Sequence, residues 1–311
     1  MGMYTGMNEN AVKTALDDIF YPMYDPKSQP GYVDATSSLI FRQDTADSSA
    51  VIEETMKDSG EWDVKQPQED IQGGEVLIGN QKVHSVITHA KSINIDKEFF
   101  DDNKHSMYEK AVRGFAKKGV YARDKAALGF YRKGFATYTT GDGSYIFSDS
   151  HTTLNGGNVD NLGTAALSES ALYDSVVALA EQKDQNDELG GNIAKTLLVP
   201  PKLYKKACEI GKSELRSGNG NNDMNVFSTE YNVYIAQSIY LSSALEDSGS
   251  DTAWFLIGDN MAATRWVREG LSTSLIDYKY AKNDNYIYKG RYREMTGATD
   301  YVGLWGSTGA A

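Results

Sequence analysis

Residues 145–157 read YIFSDSHTTLNGG, and two kinds of protein could be built on that stretch. Ser148, Asp149, Ser150 and His151 stand side by side, the residue types of a hydrolytic site. Just before them, GDGS at 141–144 is a turn signal, and Tyr145–Phe147 is a short apolar strand. On a strand, Asp149 and His151 share one face while Ser148 and Ser150 take the other. A triad needs its base between nucleophile and orienting acid, each within hydrogen-bond reach. Nearness in sequence does not supply that geometry, and no G-x-S-x-G elbow is present. The stretch reads as a polar strand end satisfying its own backbone.

Other chemistry fares no better. The four histidines (His84, His89, His105, His151) form no H-E-x-x-H, and the single cysteine, Cys208, cannot build a zinc cluster or an internal disulfide. DQNDELGGN at 184–192 begins like a calcium loop, but Leu189 replaces the turn glycine and Lys195 stands where the closing Glu belongs. Phosphate-binding glycine loops of either standard pattern are missing. No catalytic, cofactor or metal residues are therefore assigned.

The chain's 311 residues, 40% hydrophobic and 24% charged, suit a globular protein with a sizeable core. No apolar run is long enough for a membrane helix. The start shows neither a secretory leader nor the myristoylation pattern, and one cysteine suits a reducing compartment. A net charge of −12 argues against non-specific nucleic-acid binding by the whole surface. Tyrosine, with 20 copies, suits surfaces that become buried against a partner.

Outward from the central stretch, the chain divides unevenly. Residues 1–40 resemble an extended arm in which only NENAVKTALDDIF can form a short helix. Residues 44–80 carry ten acids and two lysines, a net −8, on what reads as a long β-hairpin with few large apolar residues to bury. Ile93 and Ile95 then alternate with Asn94 and Asp96, a strand re-entering a core. A helix is expected at 107–133, with Tyr108, Val112, Phe115, Gly119, Ala122, Ala126 and Phe130 as its apolar stripe. Residues 104–133 hold nine bases and two acids, a net +7. Beyond 150, Ser168 caps a helix, TLLVP is a buried strand, and Pro201 opens another helix. RSGNGNND is a loop; NVYIA, SIYLSSAL and AWFLIG read as strands. Near the C-terminus Tyr278, Tyr280, Tyr286, Tyr288 and Tyr292 share one parity across a turn at 283–285, and Lys279, Lys289, Arg291 and Arg293 the other.

The order of these pieces, with three phrases, resembles the Mu-type phage major head subunits, major capsid proteins of the Hong Kong 97 fold. The phrases are YIFSDSHTTLNGG, then LLVPP at 197–201 after a capped helix, and YKGRYREMTGATDYVGLWGS at 288–307. The likeness spans about residues 83–311; Thr152 departs from it, standing where such proteins often have Pro after the His.

The resemblance implies an α+β capsid fold: an N-terminal arm (1–43), an E-loop hairpin (44–82), a peripheral domain with the long helix (83–149), an axial domain (150–270) and return strands of the peripheral domain (271–311). It implies self-assembly as hexamers and pentamers into an icosahedral shell around double-stranded DNA, without sequence-specific binding. Scaffold and portal proteins, and a possible decoration protein, are the implied partners. Virion and, during assembly, host cytoplasm are the implied locations. In this family the E-loop lies across a neighbouring subunit. Glu53, Glu54, Glu61 and Asp63 are accordingly expected to meet Lys289, Arg291 and Arg293 of another copy, or less favourably the helix bases Lys110, Arg113, Lys117 and Lys118. A phage tail or baseplate protein is the alternative that shares the lack of a catalytic site. A carbohydrate-active hydrolase would need paired carboxylates in a cleft.

Overall fold

A computed structural model describes residues 9–24, 30–71, 73–98, 105–214, 224–245, 247–277 and 285–310. The long helix runs His105–Arg132. Its buried row is Tyr108, Val112, Ala116, Val120, Ala127 and Tyr131, whereas Phe115 is half-buried and Ala122 and Ala126 are exposed. The expected stripe holds at Tyr108, Val112 and Phe130, which are buried, and drifts off the buried row between them, at Phe115, Gly119, Ala122 and Ala126. Small residues on adjacent rows look alike in a 3.6-residue pattern, and the two β-branched positions, Val112 and Val120, settle which row faces inward.

Two sheets flank this helix. In the first, the strands β1 (Arg42–Thr45), β4 (Ile87–Asp96), β11 (Thr264–Ile276) and β12 (Asn285–Gly297) lie in the order β1-β11-β12-β4. The long pair β11 and β12 is antiparallel, and β12 continues antiparallel onto β4 with Tyr288 opposite Ile93 and Tyr292 opposite His89. Tyr286, Tyr288 and Tyr292 are buried, while Lys289 and Arg291 are exposed, so the expected parity holds over the described part of β12. Tyr278, Tyr280, Lys279 and the turn at 283–284 lie outside the described residues.

The second sheet has the order β7-β13-β10-β8-β9, built from β7 (Leu162–Gly163), β8 (Ala194–Val199), β9 (Tyr234–Gln237), β10 (Trp254–Gly258) and β13 (Leu304–Ser307). All five residues of β10 are buried, as a strand covered on both faces requires. Ser168 caps the helix Glu169–Ala180 by accepting from the Ala171 amide, and Pro201 opens the helix Pro201–Gly211. Two expectations fail here. SIYLSSAL forms short 3-10 turns at Ile239–Leu241 and Ser243–Leu245, because Ser238 and Ser242 bond the following amides and close turns. The closing strand β13 belongs to this second sheet, not to the first: Trp305 faces Leu256 across β10.

In the N-terminal segment the short helix expected within NENAVKTALDDIF forms and runs on to Tyr24. Residues 9–24 form a full helix, and Val12, Leu16 and Phe20 bury themselves against Val112, Ala116, Tyr286 and Tyr288 of the same chain. The next residues are fastened too. Arg123 reaches Asp34 at 3.2 Å and its neighbour Asp124 at 3.1 Å, and Asp124 accepts from the Tyr32 hydroxyl and the Ala35 amide. Arg123 and Asp124 are buried, so these two charges of the +7 segment are internal ties rather than surface.

Candidate inter-subunit surfaces

The residues first suspected of catalysis are held apart. His151 is fully buried and stacks on Tyr301 at 4.7 Å, while Asp149 is exposed. The partner of His151 is Asp142 of the GDGS turn, 2.9 Å from Nδ1. Burial opposes the Asp142 charge, but hydrogen bonds from His151, Thr140 and the Ser144 amide hold its carboxyl far below the usual carboxylate range. Nε2 of His151 has no hydrogen-bond partner among the described residues, so no nucleophile stands at the base. Ser148 and Ser150 bond locally within the turn. The Asp-His pair pins β5 (His151–Thr152), which pairs antiparallel with β6 (Asn158–Val159), to the turn before it. Among the described residues no group of three or more His, Cys, Asp or Glu side chains could hold a metal ion.

The acidic hairpin consists of β2 (Ala50–Lys57) and β3 (Leu77–Ser85), antiparallel with Glu53 opposite Lys82 and a bulge between Glu54 and Met56. Thr55, the bulged residue, turns inward and binds both the amide and the carbonyl of Asn80. At the base His84 stacks on Trp266 and bonds Thr299 at 2.9 Å; burial, with Lys82 nearby, pushes its pKa down to about 4. Gly79 lets the ribbon close over Leu154, whose side chain occupies the place a Cβ would need. Lys57 bonds Asn155, Asn186 bonds Asp58, and the Glu61 amide donates to Glu188 at 2.9 Å. The ribbon thus rests lightly on its own second sheet's loops. Beyond that rest it buries little: Ile52, Met56, Val64, Ile71 and Ile78 are all more than half exposed, and Trp62 is 97% exposed. The acidic run hid Trp62 from a charge-based reading; its signal was an indole between two acids, Glu61 and Asp63, in a segment with no core.

The expected contact residues differ in how free they are. Glu53 already pairs with Arg42 at 3.0 Å and accepts from Thr299 at 2.9 Å, and Glu54 accepts from Gln81. Glu61 and Asp63 are exposed at the tip. On β12, Arg291 lies 3.4 Å from Glu269, Lys289 is exposed, and Arg293 is half-buried. Within one chain none of the four acids meets the basic strand in the ion pairs among the described residues. The helix bases Lys110, Arg113, Lys117 and Lys118 are exposed.

A family model described as phage capsid protein matches residues 79–306. No curated protein sequence matches. Solved structures share the fold across nearly the whole chain. The capsid of an empty GTA particle aligns with TM-score 0.54 at 11% identity, covering 98% of this chain and 100% of that one. The capsid of Myoviridae phage XM1 gives 0.52 at 14%, covering 92% and 95%. A virus-like particle from Pyrococcus furiosus gives 0.52 at 12%, covering 94% and 96%. The fold is thus that of the Hong Kong 97-type shell proteins, while the narrower likeness to Mu-type subunits rests on the three phrases alone.

Proposed function

The chain belongs to the phage capsid protein family, and from that premise we infer that it is the major head subunit, self-assembling as hexamers and pentamers into an icosahedral shell around double-stranded DNA. The observation that carries this reading is the acidic ribbon: a two-stranded hairpin with exposed Ile52, Met56, Trp62, Val64 and Ile78 has a surface that only a neighbour can cover. Among the described residues the most exposed large apolar side chains, Trp62, Val64 and Ile71, all lie in this segment. Net charge of −12 suits a container that must let DNA enter and leave. Residues 1–43, 44–82, 83–149 and 150–270 serve as arm, E-loop, peripheral and axial domains; the return segment after 271 serves both, since β12 joins one sheet and β13 the other, and β11, which starts at Thr264, carries the first sheet across that boundary. Of the four expected contact acids, Glu61 and Asp63 at the exposed tip are the ones placed to meet another copy, because Glu53 and Glu54 are engaged within the chain. The subunit acts as structure, not as a catalyst, in the virion and in host cytoplasm during assembly, with scaffold, portal and decoration proteins as its partners. Electron microscopy of the purified, assembled protein tests this. Closed icosahedral shells are expected; tubes or small rings would mark a tail or baseplate component instead.

A further inference from the structure

The tyrosine parity of β12 is broken once. Tyr286, Tyr288 and Tyr292 are buried toward the helices, and Gly290 takes the place in the row between Tyr288 and Tyr292. The Phe115 and Phe20 rings lie 3.5 and 3.8 Å from where a Gly290 Cβ would be, in van der Waals contact, so they pack over this position and form part of the wall of the space beside it. Across from it the long helix presents Gly119 and Ala122 beyond Phe115. These small residues leave a groove of about 550 Å³ whose walls include Tyr24, His89 and Tyr292. His89 stacks on Tyr292 at 4.8 Å, which holds one wall in place. Two exposed lysines line the groove, Lys91 from β4 and Lys118 from the long helix.

The hairpin tip offers the complementary shape and charge. Trp62 is 97% exposed, whereas Trp254, Trp266 and Trp305 are at most 9% exposed. An indole in full solvent forfeits the largest apolar burial any side chain can make. It sits between Glu61 and Asp63, both exposed. Such exposure also shows that it does not occupy the groove of its own chain. Building on the shell-forming reading above, we propose that this groove receives Trp62 of a second copy of the chain, with Glu61 and Asp63 set against Lys91 and Lys118. The indole supplies buried area and the charges supply register. The basic face of β12 is the alternative receptor for the acids, but Arg291 there already has Glu269.

Because the other three tryptophans are buried, fluorescence can follow Trp62 alone, as the difference between wild type and Trp62→Phe. In the dissociated chain this difference should be red-shifted and readily quenched by acrylamide. In assembled particles it should shift to the blue, with quenching reduced several-fold. Lys91→Glu with Lys118→Glu should leave Trp62 quenchable after assembly, and Arg291→Glu with Arg293→Glu should leave it protected. If the lysine reversals block assembly, adding Glu61→Lys and Asp63→Lys should restore particles; failure to do so contradicts the pairing. Particles in which Trp62 is as quenchable as in the dissociated chain would overturn the docking while the shell reading stands. Protection lost in the arginine variant but kept in the lysine variant would also overturn it, placing the receptor on the basic strand. A protein that forms no particles would remove the premise itself.

Discussion

The N-terminal helix and the acidic ribbon both look, in sequence, like segments without enough core of their own, yet they fold in opposite ways. The helix places Val12, Leu16 and Phe20 on one row and buries all three in its own chain. The ribbon has comparable apolar residues, but a strand pair exposes both faces unless something lies on each, and here Ile52, Val83, Met56 and Ile78 remain in solvent. The lesson concerns which segment is exchanged between subunits. A segment already paid for within the chain gains little from a neighbour, whereas one that leaves an indole in water gains much. Dependence on assembly belongs to the ribbon rather than to the helix.

The largest effect that would sharpen this contrast comes from Phe20, which is 2% exposed among Phe115, Tyr24 and Tyr288. Phe20→Ala should destabilise the dissociated chain by about 3–5 kcal/mol in chemical denaturation. A change below about 1 kcal/mol would mean that the helix is not docked in the free subunit.

A smaller effect is expected at the ribbon's base. The pKa of His84 is lowered to about 4, chiefly by burial, from an ordinary value of about 6.5. The unfolded chain therefore binds the proton first, so this stability is present above pH ~6.5 and is lost as pH falls from there toward 4. The pH dependence of unfolding between those limits should be shallower in His84→Gln than in wild type. Parallel profiles would show that the histidine is not enclosed when the subunit is free.

The smallest effect on the free chain is at the tip. Trp62→Ala should leave the stability of the dissociated subunit within about 0.5 kcal/mol, since the indole is 97% exposed there, while lowering the yield of particles. A large loss of stability in the free chain would place Trp62 in its own core and erase the contrast.

Much of the fold was legible where periodicity and partner are local. The long helix, the Ser168 cap, the Pro201 helix start and the β12 parity all follow from residues within a few turns of one another. What escaped depends on partners distant in sequence. The row Val12–Leu16–Phe20 is visible, but its receiving surface includes Tyr286 and Tyr288. Leu304–Ser307 looks like any short apolar strand, and nothing local says that it pairs with β10 rather than β12. The partner of His151 is Asp142, nine residues back across the GDGS turn, a pairing that a reading of adjacent residues on one strand does not show. Of the expected contact residues, the exposure of Glu61 and Asp63 fits an acidic tip. The intrachain partners of Glu53 and Glu54 came from Arg42 and Gln81, which charge counting could not single out.

Hydrogen exchange of backbone amides, compared between dissociated subunits and assembled particles, tests the central claim most directly. In the dissociated chain, amides of 9–24 should already be protected and those of 58–76 should exchange rapidly. Assembly should add strong protection to the ribbon and tip, with little change in the helix. Equal protection of 58–76 in both states, or a gain confined to the N-terminal helix, would contradict the account.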